Sequence, residues 1–339
     1  MSILKNNPYI IAEAGVNHNG EVSSALRLVD IARVAGADCI KFQAFSAEEL
    51  TIKNSPKAEY QRIYDNEKNQ QDMLLKYELK ENELKEIKHY CDSKNIDFLV
   101  TPFSLKWVKI LYDLDIKMFK ISSGSIRSLE LLKEVGRTGL PVILSTGMSN
   151  ISDIRSAIDI LKNNGCKDLS LLHCVSLYPV HIEKINLFSI QFLKDEFNLP
   201  VGFSDHTREI ETGGLSVAAG ADILEKHFTI DNKLKGPDHQ MSLLPNELKD
   251  YIKKARRVSM ICGEKNKQPL KEELEMKRIV QTSIVAKRFI KKNEKILKNM
   301  LTEKRPGIGI SPLYIDNIIG KITNKDIEAD EILNYEDFG

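Results

Sequence analysis

Ionisable and hydroxyl side chains gather at the ends of short apolar runs in this chain, and their types suit a site that handles anions and a cation. Glu13, Asn17 and His18 end or follow YIIAEAG, Lys41 and Gln43 fall in DCIKFQ, and Thr101 falls near the end of DFLVTPF. Lys120, Ser122 and Ser123 belong to KMFKISS, Ser145 and Thr146 to PVILSTG, and Ser176 and Tyr178 follow LSLLHC. Ser204 and Asp205 close PVGFSD with His206 next, and Glu225 and His227 sit inside DILEKHFT. Two strand lysines, Lys41 and Lys120, would repel each other near a common axis unless an anion lay between them. They therefore point to a clamp for phosphate and carboxylate, helped by the hydroxyls of Thr101, Ser123 and Ser145. Two other readings stay open: one lysine snorkels out to a helix layer, or Lys120 forms a Schiff base. His206 and His227 end consecutive strands, which predicts an open metal site of two imidazoles with positions left for water and substrate. His173, midway in its strand, reads as a core histidine, while His89 and His181 carry no signal.

Something must bring these residues to one place. The eight apolar runs alternate with stretches of helical period and end near residue 262, which matches a (β/α)8 barrel in number and length; in such a barrel, polar strand ends line the active site. The helix in SSALRLVDIARVAGA is legible from Ala25, Leu28, Val29 and Ala32 on one face, a serine pair suited to its start and Gly36 past its end. Residues 46–79 interrupt the rhythm with a long charged segment, expected to be functional or partly helical. Domains are expected at 1–262 (barrel), 263–282 (linker) and 283–339, a small β-rich module that leans on something else. In ILEKHFTI, a period of two puts Glu225 and His227 on one side and Leu224, Lys226 and Phe228 on the other. Glu225 is expected behind His227, orienting the ring or offsetting charge. Lys226 is expected on the helix-facing side, paired with an unidentified acid.

The composition leaves few other function classes. A chain of 339 residues that is 42% hydrophobic and 29% charged, with a formal net charge of +1, offers neither a disordered tract nor a polyanion-binding surface, so no nucleic-acid partner is expected. The five cysteines have no paired spacing, which fits a reducing compartment. The start MSILKNNPYI is too short and polar for a signal peptide, and no apolar run approaches the ~18 residues of a membrane span, so a soluble cytoplasmic protein is expected.

Several stretches closely resemble, in order and over essentially the whole chain, the sialic acid synthase family, which makes N-acetylneuraminate and related nonulosonic acids such as legionaminate. They are IIAEAGVNHNG, IKFQAF, TPFS, FKISSG, LSTGMS, LLHCVSLYP, VGFSDHT, LEKHFTID, GPDHQMSL and KRPGIGIS. The resemblance implies a TIM barrel followed by a small antifreeze-like SAF domain, in a homodimer in which each SAF domain caps the barrel of the other subunit. It implies condensation of phosphoenolpyruvate with an N-acetylated hexosamine aldehyde, using a divalent metal, typically Mn2+, with Mg2+ or Co2+ as alternatives. By resemblance, Lys41 and Lys120 hold phosphoenolpyruvate, Thr101, Ser123 and Ser145 lie near its phosphate, and His206 and His227 hold the metal. Glu13 matches the glutamate that handles protons or orients water. Gln43, Tyr178 and Asp238 match substrate contacts, and Arg305 resembles an arginine that reaches into the other subunit's site to bind the sugar. Ser176 and Ser204 complete the expected site. Ser125 stands where the family commonly has glutamate, Ser176 where many bacterial members have asparagine or glutamate, and Ile308 where many have asparagine; all three are sugar-side positions. The first expectation is N-acetylneuraminate from N-acetylmannosamine, and the neighbouring one is a 2,4-diacetamido trideoxyhexose giving legionaminate. A Schiff-base pyruvate lyase and an inactive carbohydrate-binding relative are the remaining alternatives.

Overall fold

Strand-forming and helix-forming stretches alternate as their periodicity requires. In the computed structural model, which describes residues 7–264 and 266–339 without the side chains of residues 60, 63 and 64, eight strands form one sheet. Residues 1–6, most of the polar start discussed above, lie outside the described residues. The strands are β1 (Tyr9–Gly15), β2 (Cys39–Ala44), β3 (Asp97–Pro102), β4 (Phe119–Ile121), β5 (Val142–Ser145), β6 (Leu169–Cys174), β7 (Val201–Asp205) and β8 (Ile223–His227). All recorded neighbours are parallel, in the order β3-β2-β1-β8-β7-β6-β5-β4, and β3 lies beside β4, so the sheet curls into the expected (β/α)8 barrel.

The helices are α1 (Val22–Ala35), α2 (Ala47–Leu50), α3 (Glu59–Tyr64), α4 (Gln70–Leu75), α5 (Glu81–Ser93), α6 (Leu105–Asp113), α7 (Leu129–Arg137), α8 (Ile151–Asn163), α9 (Phe188–Phe197), α10 (Glu211–Ala218), α11 (Pro245–Cys262) and α12 (Lys271–Val280). Helix α1 buries the predicted stripe of Ala25, Leu28, Val29 and Ala32 and ends on Gly36 in the left-handed conformation. Its cap position is Glu21, so the serine pair lies inside the first turn rather than capping it. The interruption at 46–79 is partly helical, as expected, and consists of α2, α3 and α4.

A side-chain period of two builds the barrel interior in layers. Tyr9, Ile11, Cys39, Leu99, Met118, Ile143, Leu172 and Ile223 pack together as an apolar plug. Two residues further along the strands come Glu13, Lys41, Thr101, Lys120, Ser145, Cys174 and Glu225, so the polar layer rests directly on the plug. On β7 the plug position is Gly202, where a Cβ would lie 2.2 Å from the Ile223 carbonyl oxygen, and Ser204 stands above it. The outward positions feed a larger apolar layer under the helices, with Ile10, Ile40, Phe42, Phe119, Leu144 and Leu224 fully buried.

The chain divides into two compact units, the second beginning at Glu264. Helix α12 lies within the stretch expected to be a linker and buries none of its residues. The second unit pairs β9 (Ser283–Ala286) with β10 (Leu301–Lys304) in antiparallel fashion. This module has an interior of its own. Ile284, Ile290, Ile296, Ile318, Ile327 and Leu333 are fully buried in a core of its own, because short bridges such as Ile290 with Ile327 close it without long strands. Among the described residues, no helix is long and apolar enough to cross a membrane.

Candidate active site

The polar layer opens into a cavity of about 550 Å³ at the C-terminal ends of the strands, a volume suited to small-molecule substrates. Its lining includes Glu13, Lys41, Gln43, Thr101, Lys120 and Ser123, and also Ser145, Ser176, Tyr178, Ser204, His206, His227 and Asp238. These residues expected in the first unit are therefore gathered in one place, whereas two other strand-end residues are not: Thr146 donates to the Leu172 carbonyl and Asp205 pairs with Lys226 on the helix-facing side. Arg305 belongs to the second unit, where it is exposed together with Ile308.

The two lysines converge as expected, and an anion does lie between them: the Glu225 carboxylate, with Oε2 3.7 Å from the Nζ of both Lys41 and Lys120. Both lysines are buried, which removes the reading in which one snorkels outward. Lys41 also pairs with Glu13 at 2.8 Å and reaches Thr101 Oγ1 at 3.4 Å, while Lys120 donates to Ser145 Oγ at 2.6 Å. Burial lowers the Lys41 ammonium, yet Glu13 and Glu225 outweigh it and hold the group above its ordinary range. For Lys120 burial prevails over Glu225 and the ammonium is lowered. Burial raises the Glu225 carboxyl, but Lys120 and Lys41 prevail and hold it below the usual range. Burial pushes Glu13 up to about 7, against the pull of Lys41 and with Glu225 adding to the rise. A buried carboxyl near 7 with Oε2 left without a hydrogen-bond partner suits proton transfer at neutral pH.

Glu225 is on the expected side of β8 but does not stand behind His227. Its Oε1 accepts from Ser204 Oγ at 2.9 Å and its other oxygen faces the lysines, because the barrel's curvature turns it toward the axis. The carboxylate beside His227 is Asp238, with Oδ2 3.9 Å from Nδ1; burial pushes Asp238 up to about 6. The rings of His206 and His227 are 5.6 Å apart, and Tyr178 stacks on His206 at 4.2 Å. His206 Nδ1 bonds the Val175 carbonyl at 2.8 Å, and Nε2 lies 3.4 Å from Ser204 Oγ. Burial, followed by the charges of His206 and Lys41, holds His227 well below its ordinary range, and its buried Nδ1 has no hydrogen-bond partner. Among the described residues no group of three His, Cys, Asp or Glu side chains is arranged to hold an ion. Two neighbouring imidazoles, one with a buried nitrogen lacking a partner and one whose Nε2 meets only a serine hydroxyl at 3.4 Å and the Cys174 sulfur at 4.0 Å, nevertheless fit a divalent cation in an open site.

Sequence reasoning missed Cys174, whose sulfur lies 3.8 Å from His206 Nδ1 and lines the cavity. Burial opposes its ionisation, but His206 outweighs burial and draws the thiol down, and the thiol in turn holds the imidazole above its ordinary range despite burial. Also missed were individual residues of 46–79, including Leu50, Thr51, Gln61, Gln70, Met73 and Tyr77, which line the outer wall. Asn17 and His18 do not line the cavity. They are buried beside it, Asn17 donating to the Phe228 carbonyl and Ser242 Oγ. Ser125 is buried against Ser122, and His173 is the expected core histidine, bonded to the Ile185 carbonyl and stacked on Phe203.

The chain is similar to known proteins along nearly its whole length. The model of the NeuB family matches residues 28–267, and the SAF domain model matches 281–339. The N,N'-diacetyllegionaminic acid synthase of Campylobacter jejuni is 43% identical over 327 residues, covering 96% of this chain and 98% of that protein. The protein of the same name from Legionella pneumophila is 40% identical, covering 97% and 94%. The solved structure of N-acetylneuraminic acid (sialic acid) synthetase from Leptospira borgpetersenii matches at 38% identity with a TM-score of 0.73, covering 80% of this chain and 90% of that one. A family model spanning most of the barrel, joined to relatives this similar from end to end, shows that the chain belongs to the NeuB family.

Proposed function

We propose that this enzyme condenses phosphoenolpyruvate with the open-chain aldehyde of 2,4-diacetamido-2,4,6-trideoxymannose, giving N,N'-diacetyllegionaminate and phosphate. The observation that carries the chemistry is the convergence of two buried lysines and their hydroxyl partners on one floor. Lys41 and Lys120 would take the carboxylate and phosphate of phosphoenolpyruvate, with Thr101, Ser123 and Ser145 completing the cradle. The third carbon of phosphoenolpyruvate attacks the aldehyde carbon, water adds at the second carbon, and phosphate leaves by C–O cleavage. Glu13 is poised to hold or move the proton of that water. A divalent ion held by His206 and His227, Mn2+ in the first place and Mg2+ or Co2+ as alternatives, would supply Lewis acidity toward the aldehyde oxygen. Tyr178 fixes the His206 ring by stacking, and the apolar plug closes the floor to water from below.

The choice of acceptor is supported by the two legionaminate-forming relatives and by the cavity wall. The residues that α2 to α4 and their connections contribute include Leu50, Thr51, Ala58, Gln61, Gln70 and Met73, which carry no charge and suit acetamido and deoxy groups. N-acetylmannosamine, giving N-acetylneuraminate, is the second reading, favoured by the Leptospira structure. We further propose a cytoplasmic homodimer in which Arg305 of one copy reaches the acceptor bound by the other; its exposure is compatible with that role. The test is phosphate release from phosphoenolpyruvate and Mn2+ with each sugar in turn. The diacetamido sugar is expected to give the higher kcat/KM, and phosphate release with neither sugar would overturn the proposal.

A further inference from the structure

The helix-facing positions of the eight strands are apolar except at three: His173 on β6, Asp205 on β7 and Lys226 on β8. His173 is accounted for by its carbonyl partner. Asp205 and Lys226 are a charged pair placed where every other strand packs hydrocarbon, and they are 0% and 1% exposed. The two are direct partners in the β7–β8 ladder. Lys226 Nζ lies 3.0 Å from Asp205 Oδ2, 2.7 Å from the Thr207 carbonyl oxygen and 3.1 Å from Thr207 Oγ1, so all three ammonium protons have acceptors. Asp205 in turn takes the Thr207 N–H at 2.9 Å and the Thr212 hydroxyl at 2.5 Å.

Stability alone gives little reason for this arrangement, since well-packed apolar residues usually replace a buried ion pair without loss. Its place in the chain gives another reason. Asp205 and Thr207 flank His206, and Lys226 immediately precedes His227. One ammonium, carried by the residue before the second histidine, therefore joins the Asp205 carboxylate and the Thr207 backbone carbonyl on the two sides of the first histidine, while the two imidazoles emerge on the opposite face into the cavity. We propose that the Asp205–Lys226 pair, through Thr207, is a positioning device that sets the spacing of His206 and His227 for a shared divalent ion, a role that rests on the metal function proposed above for these histidines. Carboxylates and carbonyls that brace metal-holding histidines from behind typically change metal affinity by about 10–100-fold. Here the bracing acts on the strands rather than on the rings.

The test uses the full-length protein and Mn2+ alone, with free Mn2+ followed by electron paramagnetic resonance and unfolding followed by calorimetry. The double variant Asp205→Leu/Lys226→Met replaces both charges with hydrocarbon of similar size. It is expected to keep or exceed the wild-type Tm and to bind Mn2+ about 10–100-fold more weakly. Phosphoenolpyruvate affinity, measured without metal, is expected to be unchanged, because the lysine floor is built on other residues. Wild-type Mn2+ affinity in a folded double variant would overturn the positioning role alone. A wild-type protein that binds no Mn2+, or a His227→Ala variant that binds it normally, would overturn the metal site and the positioning role together. If the double variant does not fold, Asp205→Asn takes its place: it keeps the outline of the side chain but removes its charge and one of its two accepting oxygens, and a loss of about tenfold or more in Mn2+ affinity supports the role whereas unchanged affinity overturns it.

Discussion

A methyl group at Gly147 tests the proposed phosphate end of the cavity and meets only side-chain tips that line it. Gly147 follows β5, and its N–H donates to Ser123 Oγ at 2.9 Å. A Cβ there would lie 2.3 Å from Ser176 Oγ, 2.9 Å from Ser123 Oγ and 3.2 Å from Cys174 Sγ, and the backbone is not in the left-handed region. All three neighbours are side-chain tips that line the cavity, so they can turn away at little conformational cost but not without leaving the positions the proposed substrates need. A hydrogen bond from Ser123 to a phosphate is worth about 1.5–3 kcal/mol, and a neutral one from Ser176 to a sugar about 0.5–1.5 kcal/mol. Gly147→Ala is therefore expected to raise KM for phosphoenolpyruvate about 10–100-fold and that for the sugar up to about tenfold, with Tm lowered by no more than a few degrees. Steady-state kinetics with each substrate varied in turn, alongside calorimetry, would measure this. A folded variant with the wild-type KM for phosphoenolpyruvate would refute the assignment of Ser123 to the phosphate.

The same substitution at Gly202 should do the reverse. Its Cβ would meet the Ile223 backbone carbonyl at 2.2 Å and Leu172 Cδ2 at 2.7 Å inside the plug, where nothing can turn aside. Gly202→Ala is expected to destabilise the barrel by about 3 kcal/mol, read as a lower urea midpoint, and an unchanged midpoint would argue against a close-packed plug. Acid stability gives an independent check through His239, which burial holds down at about 4 in the folded chain against an ordinary value of 6.5. Between those pH values the unfolded chain binds the extra proton, so the stability present above 6.5 is lost as the pH falls toward 4, by about 3 kcal/mol. In urea titrations, His239→Gln should gain about that much relative to wild type between about pH 7.5 and about pH 4. A difference that does not change with pH would refute the buried neutral state of this ring.

Much of the site was legible because both determinants are local. Strand runs such as YIIAEAG and LSLLHC carry their own signal, and alternation sends Ile11 and Glu13, or Leu172 and Cys174, to the same side of a strand. What alternation cannot supply is the distance across the ring between strands that are not neighbours. Glu225 was assigned to the right face of β8, yet its partners are Lys41 on β2 and Lys120 on β4, which curvature brings within 3.7 Å. Cys174 escaped notice because a thiol in the polar layer looks in sequence like Cys39, a thiol in the plug beneath it. The contribution of 46–79 was foreseen as a segment but not by residue, since α2 and α4 are short helices whose placement depends on packing in a cluster with Phe45 and Phe103 rather than on period.

The acid that partners Lys226 could have been named from the sequence, and the reason bears on how such a barrel sets its register. In SDH and EKH an ionisable residue of opposite sign precedes each histidine, and period two sends both to the outer face. A slip of one residue between β7 and β8 would turn one histidine out of the cavity, and a slip of two would set Lys226 against Phe203 instead of Asp205. Apolar neighbours would distinguish these registers only by packing, whereas a buried ammonium without its carboxylate is heavily penalised. The one pairing that satisfies both charges, Asp205 with Lys226, is also the one that presents His206 and His227 side by side. Opposite charges at adjacent outer positions of consecutive strands, each just before a candidate ligand, thus specify the geometry of a site on the other face of the sheet.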